Sequence, residues 1–179
     1  DLDGITLASP LELNLGTIKD ASLGDASLTY TLPTTTGIHV DATTPTIISS
    51  TPPADASYKE LDNIDFTFTF SESVVVTGSP QVSLDIGGLA VNAVYQSGSG
   101  NDNLLFRYTV AASNNDIDGI TASSAINLNS GTISDAAGNN AILSFSLPAM
   151  TNVLVDTTTP SITSVTAPAN KTYILGEDV

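Results

Sequence analysis

The feature that most constrains the fold of this chain is that it repeats itself. Asp1-Leu-Asp-Gly-Ile-Thr6 returns as Asp116-Ile-Asp-Gly-Ile-Thr121, and Gly16-Thr-Ile-Lys-Asp-Ala21 returns as Gly131-Thr-Ile-Ser-Asp-Ala136. Val40-Asp-Ala-Thr-Thr-Pro45 returns as Val155-Asp-Thr-Thr-Thr-Pro160. All fall at an offset of 115 without a gap, and 29 of the 64 positions in 1–64 are identical to those in 116–179. A fixed period of this kind implies one folding unit per period, and 115 residues suits one β-sandwich domain. Framed on the linker, a complete copy spans 42–156. Residues 1–41 are then expected to be the C-terminal part of a preceding copy, and 157–179 the N-terminal part of a following one. The parent is expected to be longer than this chain, with completion of the ends by neighbouring chains as the second reading. A start at Asp1, with no Met or leader, fits a processed or excised segment.

Apolar residues make up 41% of the chain, enough to bury a core, and they are mostly Ile, Val, Leu and Ala among many Thr and Ser. That mixture fits a pleated, half-buried surface, and Gly and Pro recur as turn punctuation. An all-β fold is expected. The net charge of −15 speaks against nucleic acid or an anionic membrane as partner, since both demand cationic patches. Self-repulsion on that scale loosens a compact state unless cations neutralise part of it. With no Cys, a secreted chain must rely on its core or on bound ions. No apolar run is long enough to span a bilayer.

Within the complete copy, strand signals recur at short spacing. Residues 46–50 form a short first strand, and 64–70 alternate cleanly, with Phe66, Phe68 and Phe70 on one face. Residues 81–86 turn through Gly87-Gly88 into 90–96, and 104–110 set Leu104, Phe106, Tyr108 and Val110 inward. Residues 125–133 and 141–147, the latter extended towards 153–155, complete about seven strands. No helical period competes. A tandemly repeated Greek-key β-sandwich follows.

Strand parity sorts the loops between two poles. Ser71-Glu-Ser73, 97–103 and 135–140 fall at the pole where the linker enters. Residues 55–63, 114–119 and the exit at Asp156 fall at the other, so Glu60, Asp62, Asp116, Asp118 and Asp156 are expected to converge there. Hard cations such as calcium take six to eight oxygen ligands, and Asp-x-Asp-Gly offers two carboxylates beside a residue that turns sharply. The same motif supplies Asp1 and Asp3 in the preceding copy, and Glu177 stands where Asp62 stood. One motif at a time, plain turn formation explains Asp and Gly at such places better than an ion does; recurrence in both copies, beside Asp156 and the acidic first loop, favours the ion. Asp41 and Asp156 precede the two linkers, as ion ligands at a junction or as turn residues. Asp135, in Asp135-Ala-Ala-Gly-Asn139, reads as part of the facing pole or as a hairpin turn, and Glu72 as a ligand or a solvated loop residue.

Several motifs carry a resemblance as a set. Phe70-Ser-Glu-Ser-Val74, Val76-Thr-Gly-Ser-Pro-Gln81, Ser97-Gly-Ser-Gly100, Phe106-Arg-Tyr-Thr-Val110, Asp116-Ile-Asp-Gly-Ile120, Asp135-Ala-Ala-Gly-Asn139 and Asp156-Thr-Thr-Thr-Pro160 resemble the bacterial Ig-like tandem repeats of giant surface and RTX-type adhesins. The resemblance implies an Ig-like sandwich, secretion to the cell surface, and an extender role in an adhesin or fibre, as in biofilm proteins. It also implies calcium at the junctions and neighbouring repeats or identical chains as partners, with any host or cell-surface ligand elsewhere in the parent. The glycine-rich nonapeptide calcium repeats of RTX proteins do not occur here.

Catalysis is not expected. The single histidine, His39, aligns with Leu154, and the complete copy has neither His nor Cys for a nucleophilic triad. Lys59 becomes Ile174 in the next copy, against a Lys–Asn isopeptide bond. Two alternatives stand: a self-assembling fibre subunit whose ends are completed by neighbouring chains, and a carbohydrate- or protein-binding module. The absence of Trp weighs against a sugar site.

Overall fold

The computed structural model describes residues 4–176 and 178, so Asp1, Asp3 and Glu177 lie outside the described residues. All ten named strands fall between Ile47 and Asp156: β1 Ile47–Thr51, β2 Ala56–Tyr58, β3 Asn63–Thr77, β4 Gln81–Ile86, β5 Leu89–Ser97, β6 Asn101–Thr109, β7 Asn115–Asp116, β8 Thr121–Ala122, β9 Thr132–Ser134 and β10 Val153–Asp156. The described residues contain no helix, so none long and apolar enough to cross a membrane. One sheet runs β1-β3-β6-β5-β4-β8, with β9 paired to β3, and the other runs β2-β10-β7. Pairing is antiparallel except between β10 and β2. The chain is all-β, with curled sheets consistent with a β-sandwich.

Alternation builds the core. In β3 the even positions Ile64, Phe66, Phe68, Phe70 and Val74 are buried, while the odd ones face outward. Phe106 on β6 meets Phe68 edge to face at 5.5 Å, and Phe145 lies 4.5 Å from Phe68. Val82, Leu84 and Ile86 on β4, with Ile120, Ile133, Val153 and Val155, complete an apolar interior. On the outer face Asp65 sits directly opposite Arg107, which donates to both of its oxygens at 2.6 and 2.7 Å.

Three sequence expectations need correction. Residues 71–73 are not a loop: β3 continues through them for 15 residues, because its later part leaves the first partners and pairs β9 at Val75–Thr77. Pairing with β6 shifts between Thr69 and Val74, which absorbs the change of partner. Residues 125–133 are not one strand, because Asn129 and Ser130 both take left-handed backbone (φ 46° and 65°) and turn the chain ahead of β9. Residues 141–147 make isolated bridges to Thr46 and Ala125, so ten named strands and several bridges stand where about seven strands are expected.

Candidate metal centre

Residues 41–46, expected from the sequence to be a linker, are laid along the fold. Pro45 is buried and its carbonyl accepts from the Ile142 amide at 2.8 Å, and the Thr46 carbonyl accepts from the Ser71 amide at 2.8 Å. The Asn139 side chain donates to the Asp41 carbonyl at 3.2 Å and to Asp135 Oδ2 at 2.8 Å. One amide thus ties the linker to the 135–140 turn. The Asp41 carboxylate itself caps the start of the linker, accepting from the Thr43 amide at 2.9 Å.

These tethers bring Asp41 to two other carboxylates. Among the described residues, Asp41, Glu72 and Asp135 form the one group of three whose ligand oxygens all lie within 4.8 Å of one another. Glu72 reaches it because it is an even residue of β3, on the inward side between Phe70 and Val74. Its Oε1 is buried and has no hydrogen-bond partner. Loss of water, and then the negative charges of Asp41 and Asp135, push the Glu72 carboxyl above its ordinary range. Asp135 goes the other way. Burial alone raises it, but hydrogen bonds from the Asn139 side chain and from the amides of Asn139, Gly138 and Ala137 outweigh that and hold it low. The centre therefore pairs a settled anion with one that resists ionising.

Such a set fits a hard divalent cation. Three carboxylates around a small volume repel one another unless a positive charge lies between them, and a buried oxygen without a donor costs free energy. Calcium accepts carboxylate and carbonyl oxygens with water completing the shell. Asp41, Glu72 and Asp135 would hold it, and the ion would supply charge neutralisation and a cross-link from linker to fold.

The other acidic residues are placed differently. Asp116 is buried and points inward as a turn anchor: its Oδ1 accepts from the amides of Asp118 (3.2 Å) and Gly119 (2.7 Å), and Oδ2 from Gly87 (2.7 Å). The Gly of the motif is required sterically, since Gly119 has φ +104° and a Cβ there would fall 2.4 Å from the Met150 carbonyl. Asp118 is exposed beside it. Asp62 accepts from the Lys59 amide at 2.9 Å, and Asp156 from the Thr158 amide at 2.8 Å. Glu60 and Asp156 share a shallow depression of about 260 Å³ with Lys59 and Thr157–Pro160. Among the described residues, Glu60, Asp62, Asp116, Asp118 and Asp156 form no trio of adjacent carboxylates, and backbone amides occupy both oxygens of Asp116. Of the candidates read from sequence, Asp41, Asp135 and Glu72 are brought together. The inward aim of Glu72 follows from its even position in β3, once β3 is known to continue past Phe70.

Compared with known proteins, the chain matches no family model, no curated protein and no solved structure.

Proposed function

We propose that this chain is a stretch of a tandemly repeated, Ig-like structural spacer in a large secreted bacterial surface adhesin or fibre, stiffened by calcium where one repeat passes into the next. One observation carries the reading. The three-carboxylate group straddles the repeat boundary: in the 115-residue frame Asp41 closes one copy, while Glu72 and Asp135 belong to the next. An ion held there fixes the linker relative to the sandwich, which is what an extended array needs. The role is mechanical and not catalytic, and function lies between repeats.

Calcium then stabilises by mass action on the folded state. With affinities of about 10⁻⁴–10⁻³ M, as in extracellular modules, 10 mM calcium should raise the melting temperature by roughly 5–10 °C. Glu72→Gln keeps the shape, removes the buried charge and should abolish that gain. Equal melting temperatures in calcium and in chelator for the parent chain would refute the calcium reading.

A further inference from the structure

Residues 4–41 carry the same local framework as 119–156, yet among the described residues no named strand covers it. Backbone hydrogen bonds recur at the 115-residue offset: Ile5 to Ile38 (3.1 Å) and Ile120 to Val153 (3.2 Å), Leu11 to Leu28 (2.9 Å) and Ile126 to Leu143 (3.1 Å), Ala26 to Ile18 and Ala141 to Ile133 (both 2.9 Å). Asn14 and Leu15 take the left-handed turn that Asn129 and Ser130 take. Burial does not recur. Leu11, Ile18 and Ile38 are 50%, 46% and 50% exposed, whereas their counterparts Ile126, Ile133 and Val153 are 4%, 2% and 0% exposed.

What covers the second framework is known in detail. Ile133 sits in β9 opposite Val76 of β3, and the Thr132 hydroxyl shares a hydrogen bond with Thr77 at 2.7 Å. The Thr77 carbonyl comes so close to Gly131 that a Cβ there would lie 2.2 Å from it. Gly16-Thr17-Ile18 repeats Gly131-Thr132-Ile133 residue for residue, but the described residues place no strand against it, and only the Leu13 carbonyl would meet a Cβ on Gly16. The segment retains the small residue, the hydroxyl and the apolar side chain that a strand like Val75–Thr77 demands.

We infer that the exposed face at Leu11, Ile18 and Ile38 is a docking surface for one occupant: a polypeptide with the strand pattern of residues 47–110, the first part of another copy of this repeat. Its counterpart of Val75–Thr77 pairs antiparallel with Thr17–Lys19, and its counterpart of Ala56–Tyr58 runs parallel to 38–40, as β2 does to β10. The inference rests on the repeat frame of the proposed spacer and not on its calcium.

The test joins a second copy of residues 42–115 to the N-terminus of the whole chain, so that Asn115 of the duplicate leads into Asp1 as it leads into Asp116. Hydrogen exchange is followed at the amides of Leu11, Ala26 and Ile38, in calcium and in chelator. In the unextended chain they should exchange at least a hundredfold faster than those of Ile126, Ala141 and Val153. In the extended chain they should slow by at least a hundredfold, with a second unfolding transition. Ile18→Asp should leave the melt of the unextended chain unchanged and remove that second transition from the extended one. Unprotected amides in a soluble extended chain overturn the inference. So does protection in the unextended chain that grows with concentration as dimers form, since a second whole chain is then the occupant. Protection on extension combined with a melt indifferent to calcium would sink the calcium reading and leave this surface standing.

Discussion

At the residue scale, two aspartates and one glutamate of similar sequence appearance have different tasks. Asp116 is satisfied by three backbone amides and holds the 116–119 turn against the Gly87 hairpin. Asp116→Ala strands those donors and should cost about 1–3 kcal/mol, equally in calcium and in chelator. Denaturant titration in both conditions checks this; a loss seen only in calcium would return Asp116 to the ligands. Glu72 and Asp135 give opposite pH dependences. Asp135 is held below its ordinary range, so its contribution is present at neutral pH and is lost as pH falls from that range to below it. Glu72 is raised, so in chelator it costs stability as pH rises through the ordinary carboxylate range and beyond. Between about pH 3 and 8 in chelator, Glu72→Gln should melt above the parent at the upper end and converge with it in acid. A constant difference across the range would show that the substitution acts by packing and not by charge.

At the element scale, β3 organises the molecule: it pairs β1 and β6 through its first half and β9 through its second. Phe68, fully buried between Phe106 and Phe145, is its centre, and Phe68→Ala should cost about 3–5 kcal/mol. The Asp65–Arg107 pair on the outer face is over a third exposed, so solvent screens it and its loss should be much the smaller despite its two-pronged geometry. Comparing Phe68→Ala with Arg107→Ala in denaturant tests this ordering; comparable losses would mean that the outer face carries more of the stability than burial indicates. The period-two run from Ile64 to Phe70 was readable because a one-sided strand must alternate. Its continuation was not, since Ser71-Glu-Ser73 has turn composition and is kept extended by distant partners: Thr46 at Ser71, Asn101 at Val74 and β9 at Val75–Thr77. The same limit hid how the three carboxylates meet. Strand parity put 135–140 near the linker, but the inward aim of Glu72 and the capture of Asp116 by amides depend on contacts between distant segments.

At the scale of the whole molecule, the repeat read from sequence is accompanied by hydrogen bonds at one offset, while among the described residues the buried side chains of the hydrophobic core all fall between Ile64 and Val155. The proposed spacer turns on the boundary at Asp41, where linker and sandwich share a cluster of negative charge. If an ion fixes that boundary, the segment before Asp41 cannot swing freely about the complete copy. Small-angle scattering of the full chain, in 10 mM calcium and in chelator, reads this directly. A narrower distribution of interatomic distances is expected in calcium, a broader one in chelator, and a chelator-like profile for Glu72→Gln in both. Superimposable profiles of the parent chain in the two conditions would contradict it.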